Sequence, residues 1–252
     1  RGLRLLPANR SKAERGYALF VGERLQPVKA ASVELDAGMH PVQAFRAAAL
    51  SCLAHLQANE AGVSPAGPDG AVPDPEFVHQ ARVALRRLRT GLRLFRGHLP
   101  RRFAAHWAGE WKALASQLGE ARNWDVFATE RLPELLPEGP VDESTQAVVD
   151  WVQAQRRMAG QRAADALGGH LHALRLLAFT RAVLRLQPPD AAANCGPRPT
   201  GLADWSRCAL RERHAGLRQA ARRARHQGPE GRHALRITLK KLRYAQEFLA
   251  SV

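Results

Sequence analysis

The sequence predicts an all-α protein made of two pseudo-symmetric helical bundles, which are duplicated units around a basic groove. Three observations carry this prediction. Beyond residue 40 the apolar residues recur at the 3.6-residue period of amphipathic helices, and no stretch resembles a sheet. A basic, leucine-rich segment in the first half of the chain is repeated close to its end. Gly- and Pro-rich stretches separate the helical segments from one another.

Residues 1–39 differ from the rest, because short apolar pieces alternate with Gly and Pro and predict strands and turns in an N-terminal arm or linker. A helical domain is predicted over residues 40–252, with halves of about 40–140 and 141–252. Its helices are predicted at about 41–60, 75–95, 101–118, 142–167, 170–186, 202–226 and 229–252, with a short helix ending near Pro133. Gly119 and the pair Gly168–Gly169 are predicted to end helices, and residues 61–75 and 187–200 are predicted loops.

A net charge of +15 is the strongest global signal in the composition. A solvated basic surface is one explanation, but much of the charge recurs periodically, which favours a polyanion such as nucleic acid, an anionic membrane or a phosphate polymer. Arginine outnumbers lysine, and its planar guanidinium suits bidentate contacts to phosphate oxygens. No apolar run approaches the roughly 18 residues that a membrane span needs. The three cysteines lack paired spacing, so a reduced, cytoplasmic protein is predicted.

The segment VHQARVALRRLRTGLRLF, residues 78–95, carries the clearest column of positive charge. At a rotation of about 100° per residue, five basic residues fall within an arc of about 80°. These residues are His79, Arg82, Arg86, Arg89 and Arg93. Apolar residues gather on the opposite side, as a packed helix requires. No acid relieves the repulsion within the column, although surface helices usually place acids at i,i+4, and an anionic partner explains this best.

The final helix repeats this segment, since RHALRITLKKLRY aligns with VHQARVALRRLRT without a gap. Basic residues recur at the same offsets in the second copy, namely His233, Arg236, Lys240, Lys241 and Arg243. Duplication of a packing unit alone would preserve the leucines without preserving these basic positions. Arg46 and Arg207 also occupy roughly corresponding places upstream of the two copies. We therefore expect two basic columns, related by pseudo-two-fold symmetry, to line one shared groove.

The repeated pattern H-x-x-R-[VI]-x-L-[RK]-[RK]-L-R resembles the signature of the conserved histidine α-helical domain (CHAD) family. The segment LGEARNWDVF, residues 118–127, resembles that family's LG-x-x-R-D-x-D-V turn, and the likeness covers about residues 39–252. The resemblance implies a helical fold of two pseudo-symmetric four-helix bundles around a basic cavity, of which the second is expected to be incomplete here, and binding of inorganic polyphosphate. The binding residues that it implies, with secondary contacts included, are His79, Arg82, Arg86, Arg87, Arg89, Arg93, His233, Arg236, Lys240, Lys241, Arg243, Arg46, Arg122 and Arg207.

The sequence also departs from the family pattern. Asn123 stands where the family usually has aspartate, which is expected to weaken a structural hydrogen bond or salt bridge. Glu247 corresponds to Arg93, so the second column is expected to be shorter or neutralised at its end. A counterpart of residues 100–132 would follow Val252 in a complete second unit. The piece SKAERGYALFVGE resembles the end of a CYTH triphosphate-tunnel domain, which implies a CYTH–CHAD type of protein whose CYTH domain lies upstream of this chain.

Three functions follow as hypotheses. The first is a protein that binds polyphosphate and has no catalytic residues, metal or cofactor. It is expected in the cytoplasm, in association with polyphosphate granules. No membrane contact and only non-specific nucleic-acid binding are expected of it. The second is a nucleic-acid-binding protein, against which the core-like positions of the five tryptophans argue. The third is an enzyme that processes polyphosphate or triphosphate, which the lack of an HExxH motif, zinc-spaced Cys/His set or P-loop disfavours. The stretch RQAARRAR, residues 218–225, is typical of a solvated helix end and is a further place where a polyanion could bind.

Overall fold

A computed structural model of the chain describes residues 7–8, 10–63, 74–136, 139, 142–188 and 201–252. Within these ranges all regular structure is helical and no strand occurs, which confirms the predicted all-α class. The helices, in chain order, are α1 (Lys12–Phe20), α2 (Pro41–Val63), α3 (Pro75–Leu94), α4 (Arg101–Val126), α5 (Leu132–Leu135), α6 (Glu143–Gly168), α7 (His170–Leu184), α8 (Leu202–Ala224) and α9 (Gly228–Phe248). A 3₁₀ turn, Arg96–His98, precedes α4, and a π-helical turn, Phe127–Arg131, follows it.

The N-terminal segment is where the prediction of strands was wrong. Residues 12–20 form α1, and a capping box starts it. The Ser11 hydroxyl accepts a hydrogen bond from the Glu14 amide at 3.2 Å, and the Glu14 carboxylate accepts one from the Ser11 amide at 2.6 Å. Reciprocal capping of this kind satisfies two backbone donors that a helix start otherwise leaves free. It outweighs the Gly and Pro residues that suggested strands and turns.

Caps account for the starts of two other helices. Asp74 precedes α3 as predicted, and its carboxylate accepts a hydrogen bond from the Glu76 amide at 2.8 Å, while Pro75 occupies the first helical position. Asp142 likewise accepts a hydrogen bond from the Thr145 amide at 2.8 Å and starts α6. Most of the two predicted loops, at residues 64–73 and 189–200, lies outside the described residues.

Gly119 does not end a helix, contrary to the prediction. Helix α4 continues through this residue to Val126. A Cβ atom at Gly119 would lie 2.7 Å from Nη1 of Arg82, which packs against the α4 backbone at this point. The glycine therefore allows the Arg82 side chain to approach α4 closely, a tertiary reason that a helix-breaking residue does not reveal by itself.

The described chain divides into two compact units, each built from separate stretches of sequence. The first unit comprises residues 1–30, 53–86 and 110–179, apart from those not described. Its core contains Leu56, Leu85, Leu114, Leu118 and Leu167. Trp111 also lies in this core and meets the Phe179 ring edge to face at 5.1 Å between centroids.

The second unit comprises the described residues of 31–52, 87–109 and 180–252. Its core is aromatic: the Phe45 and Phe95 rings lie 6.0 Å apart, and the Phe95 ring stacks on Trp205 at 4.9 Å. Phe248 is fully buried in the same unit. The boundary between the units divides α3 after Arg86, so the basic column of this helix contributes to both. The predicted halves at about 40–140 and 141–252 stay a prediction.

Asp125 holds the segment that follows Gly119 in the first unit. Its carboxylate accepts a hydrogen bond from Nε of Arg156 in α6 at 2.8 Å, and both side chains are largely buried. Asn123, where the family pattern has aspartate, is exposed. The residue change at position 123 therefore leaves the buried ion pair of this segment in place.

We predict that Asp125→Asn lowers the free energy of unfolding by about 3 kcal/mol, because it leaves the Arg156 guanidinium largely buried without its counter-charge. Urea unfolding followed by circular dichroism measures this loss. Asn123→Ala is the control in the same turn and should change stability by less than about 0.5 kcal/mol. Equal stability of the Asp125→Asn variant and the unaltered protein would contradict a structural role for the ion pair.

Candidate functional site

A cluster of four basic residues lies in the first unit. His79, Arg82 and Arg86 lie on one side of α3, and Arg122 of α4 is close enough to influence the first two electrostatically. Burial lowers the pKa of Arg82, and the charges of Arg86 and Arg122 lower it further. Like charges therefore repel one another here in a partly desolvated setting. We call these four residues the α3–α4 cluster.

His79 is the titratable member of the α3–α4 cluster. Burial lowers the pKa of His79 below its ordinary value; Glu76 opposes this shift, whereas Arg122, Arg86 and Arg82 add to it. The imidazole is consequently neutral near pH 7. A neutral imidazole can donate one hydrogen bond to a phosphate oxygen, and it can take up a proton if an anion enters the cluster.

The acidic residues of α4 form ion pairs away from the α3–α4 cluster. Three acids of α4 pair with arginines of α6 and α7 at 3.0 Å or less, as Glu110–Arg175, Glu120–Arg162 and Asp125–Arg156. Within the described chain, neither His79 nor Arg82 forms a salt bridge, and Arg122 reaches Glu130 only at 3.9 Å. Arg82 therefore keeps its positive charge without an ion-pair partner in the described part of the chain.

The remainder of the α3 column belongs to the second unit. Burial and the charge of Arg89 lower the pKa of Arg93, whose Nη2 donates a hydrogen bond to the Thr90 hydroxyl at 3.4 Å. Arg87 differs from the other predicted binding residues because its side chain enters the core, with 3% of the residue exposed. It donates to the Ala31 carbonyl at 3.1 Å and lies over the Phe248 ring at 5.2 Å. These contacts assign Arg87 a packing role.

The predicted binding residues of α9 are all exposed, in contrast to those of the α3–α4 cluster. They are His233, Arg236, Lys240, Lys241 and Arg243. Arg243 pairs with Glu247 at 3.2 Å, which confirms that the end of this column is neutralised internally. Two other predicted residues also lie in the second unit: Arg46 is half-buried in α2, and Arg207 of α8 pairs with Asp204.

The structure thus brings His79, Arg82, Arg86 and Arg122 together, whereas the remaining predicted residues lie in the second unit. The shared groove between the two columns stays a prediction. Gly119 belongs to the site, but the sequence predicts the end of a helix there. Its place in the LGEAR segment, close to Arg122, was a signal that it belongs to the site. No sequence motif could have identified the arginines that pair with the α4 acids, at positions 156, 162 and 175.

Two further properties of the described chain bear on the site, namely the arrangement of its metal-ligating side chains and the hydropathy of its helices. No group of three or more His, Cys, Asp or Glu side chains is arranged to hold a metal ion there. Among its helices, none combines the length and the hydropathy that crossing a bilayer requires.

Comparison with known proteins places the chain beside one family. The CHAD domain family model matches residues 47–252. The crystal structure of the CHAD domain from the plant Ricinus communis is similar to this chain, with 28% sequence identity and a TM-score of 0.69. The alignment covers 90% of this chain and 71% of the plant chain. A search of curated proteins gave no significant match.

We predict that Gly119→Ala displaces the Arg82 guanidinium without unfolding the protein. The new Cβ would lie 2.7 Å from Nη1, and a flexible side chain can move away at little cost. The ¹⁵N NMR signal of the Arg82 Nε should shift, while stability changes by no more than about 1 kcal/mol. Gly109→Ala in the same helix is the control, because nothing lies within 4 Å of its added Cβ. An unmoved Arg82 signal in Gly119→Ala would contradict the close packing.

Proposed function

The chain belongs to the CHAD domain family, and from this premise we propose that it is a binding module for inorganic polyphosphate. The α3–α4 cluster is the observation that carries the proposal. Its guanidinium and imidazole groups come from two helices, His79 and Arg82 are partly desolvated, and three of the four residues are arginines. A linear anion with a charge on every unit would replace the repulsion within the cluster by attraction.

The chemistry of the cluster suits phosphate rather than a carboxylate alone. Guanidinium groups offer several N–H donors in a fixed plane and make bidentate bonds to phosphate oxygens. Arg82 is held against α4 at Gly119, so less side-chain freedom is lost when it binds a ligand. These groups supply binding and orientation, and the proposal needs no catalytic step. Cytoplasmic location, association with polyphosphate granules and an upstream CYTH-like domain stay predictions.

Nucleic-acid binding is the principal alternative, and the tryptophans bear on it. Sequence-tolerant nucleic-acid sites stack bases on exposed aromatic rings. Trp107 and Trp111 are buried as predicted. Trp151 is 56% exposed, contrary to the prediction of a core position, and it meets Trp124 edge to face at 5.6 Å. One exposed ring gives little stacking surface, so polyphosphate is the better assignment.

The test is polyphosphate binding by the double variant Arg82→Gln and Arg86→Gln. Because two phosphate-facing charges are lost, affinity for long-chain polyphosphate should fall about ten- to hundredfold in near-physiological salt. The slope of log affinity against log salt should fall by between about one and two, by analogy with single-stranded nucleic acids. The matched control is Arg101→Gln with Arg102→Gln, two exposed residues at the start of α4, and it should lose less than about threefold.

Two outcomes would contradict this function. Equal losses in the two double variants would mean that only overall charge matters. Equal competition by single-stranded RNA, per phosphate, would favour the nucleic-acid hypothesis. Released phosphate during incubation with divalent metal would instead support the enzyme hypothesis.

We also predict that polyphosphate binding by the α3–α4 cluster takes up a proton at His79. The pKa of His79 lies below its ordinary value in the free protein, and bound phosphates should raise it by favouring the imidazolium. Affinity should therefore increase as the pH falls from about 7.5 towards 5.5, by at most tenfold per pH unit for one proton. Titration calorimetry in buffers of different ionisation enthalpy measures the proton uptake.

Variants of the two histidines test whether His79 causes this pH dependence. His79→Asn should flatten the increase in affinity at low pH, whereas His233→Asn, at the exposed position of the second copy, should leave most of it. Loss of the pH dependence in His233→Asn alone would place the titrating group on α9 and contradict the assignment.

A further inference from the structure

A second basic column lies on α8, outside the repeated segments. Six residues project from one side of this helix and its C-cap, Arg225, at a spacing of three or four residues and within an arc of about 80°. They are Arg207, Arg211, His214, Arg218, Arg222 and Arg225, and every one is exposed. We propose that this face, the α8 column, is a second and independent binding site for inorganic polyphosphate.

Most of the α8 column has no acidic partner among the described residues. Of its arginines, Arg207 alone pairs with an acid in the described part of the chain, and that acid is Asp204 on the same helix. Glu212 lies about 120° around the helix from the centre of the column. It lines a small depression with Arg213 and Trp205 instead. Four arginines, at 211, 218, 222 and 225, therefore present uncompensated charge along one line.

The column is not a by-product of the internal repeat. If Arg46 of α2 is aligned with Arg207, the places of Arg211, His214 and Arg218 are taken in α2 by Leu50, Leu53 and Gln57. Leu53 is buried in the first unit, where it serves packing. Duplication of a packing helix would thus supply leucine in place of Arg211 and His214 and glutamine in place of Arg218. The arginines are particular to α8 and call for a separate explanation.

The other side chains of α8 favour phosphate as the ligand of the column. No large apolar side chain of α8 is exposed, so this face offers nothing to insert into a lipid layer. Its aromatic residue, Trp205, stacks on Phe95 and is not available as a platform for bases. What remains is a row of guanidinium groups, which recognise phosphate oxygens.

The straightness of the row favours a flexible single chain over a duplex. From Arg211 to Arg225 the helix advances about 21 Å at about 1.5 Å per residue. A duplex strand completes a turn in about 34–36 Å, so over this distance it winds through more than half a turn and leaves the row. An unbranched polyphosphate can follow the row along its length. Nucleic acid is accordingly an outcome that the experiment must distinguish.

The test compares two quadruple variants with the same loss of charge. The α8 variant replaces Arg211, Arg218, Arg222 and Arg225 by Gln, which keeps a high helix propensity. The control replaces Arg101, Arg102, Arg157 and Arg185, four exposed arginines of other segments, by Gln. Each variant lowers the formal net charge from +15 by 4, to +11. Thermal unfolding followed by circular dichroism verifies that both are folded.

Two measurements decide the proposal. With long-chain polyphosphate, the slope of log affinity against log salt should fall by about three in the α8 variant, since four contacts of about 0.7–0.9 each are removed. The control should keep most of its slope. With a short polyphosphate, calorimetry should find two sites per chain in the unaltered protein and one in the α8 variant. The variant Arg82→Gln with Arg86→Gln should also retain one site, and the combined variant should retain none.

The outcomes of these measurements distinguish a failure of the α8 column from a failure of the α3–α4 cluster. Equal slopes in the α8 variant and its control, or two sites remaining in the α8 variant, would overturn the second site and leave the α3–α4 cluster intact. One site that disappears only in the α8 variant would support the column and overturn the α3–α4 cluster. Single-stranded RNA that competes at the α8 column as well as polyphosphate does, per phosphate, would overturn the ligand assignment.

Discussion

Burial of the apolar side of α3 is the constraint on which the candidate site depends. Leu85, Leu88 and Leu92 are nearly or fully buried, and each contributes about 1.5–3 kcal/mol through removal from water. Repulsion between like charges at i,i+4 on a helix costs only a few tenths of a kcal/mol per pair. Packing therefore exceeds repulsion severalfold, and α3 can carry a basic column without ceasing to be a helix.

The ion pairs between helices determine where the carboxylates of the first unit lie. Acids of α4 bind arginines of α6 and α7, and the pair Asp125–Arg156 is the most buried of these. Exposed pairs such as Glu120–Arg162 add at most about 1 kcal/mol, so their stabilising effect is small. Their larger consequence is electrostatic: an acid that pairs with α6 does not neutralise Arg82 or His79. The first unit thus separates the acids that hold its helices together from the bases that remain for a ligand.

How far the sequence predicts this structure depends on whether a feature is local. Helix α3, its Asp74 cap and the basic column follow from spacing and capping, which are local properties. Gly119 was misread because its neighbour, Arg82, is distant in sequence. Arg87 was grouped with the binding residues by resemblance, yet it lies about 120° around the helix from the centre of the column. From that angle the sequence could have predicted that Arg87 is buried, as it is against Ala31 and Phe248.

A sequence repeat preserves side chains but not their surroundings. Leu85 is fully buried, whereas its counterpart Leu239 is 53% exposed. His79 is desolvated beside three arginines, while His233 stands exposed on α9. Because a pKa depends on solvation and on neighbouring charges, identical residues at matched offsets need not titrate together. The proton uptake that we predict on anion binding is accordingly assigned to His79 of the α3–α4 cluster.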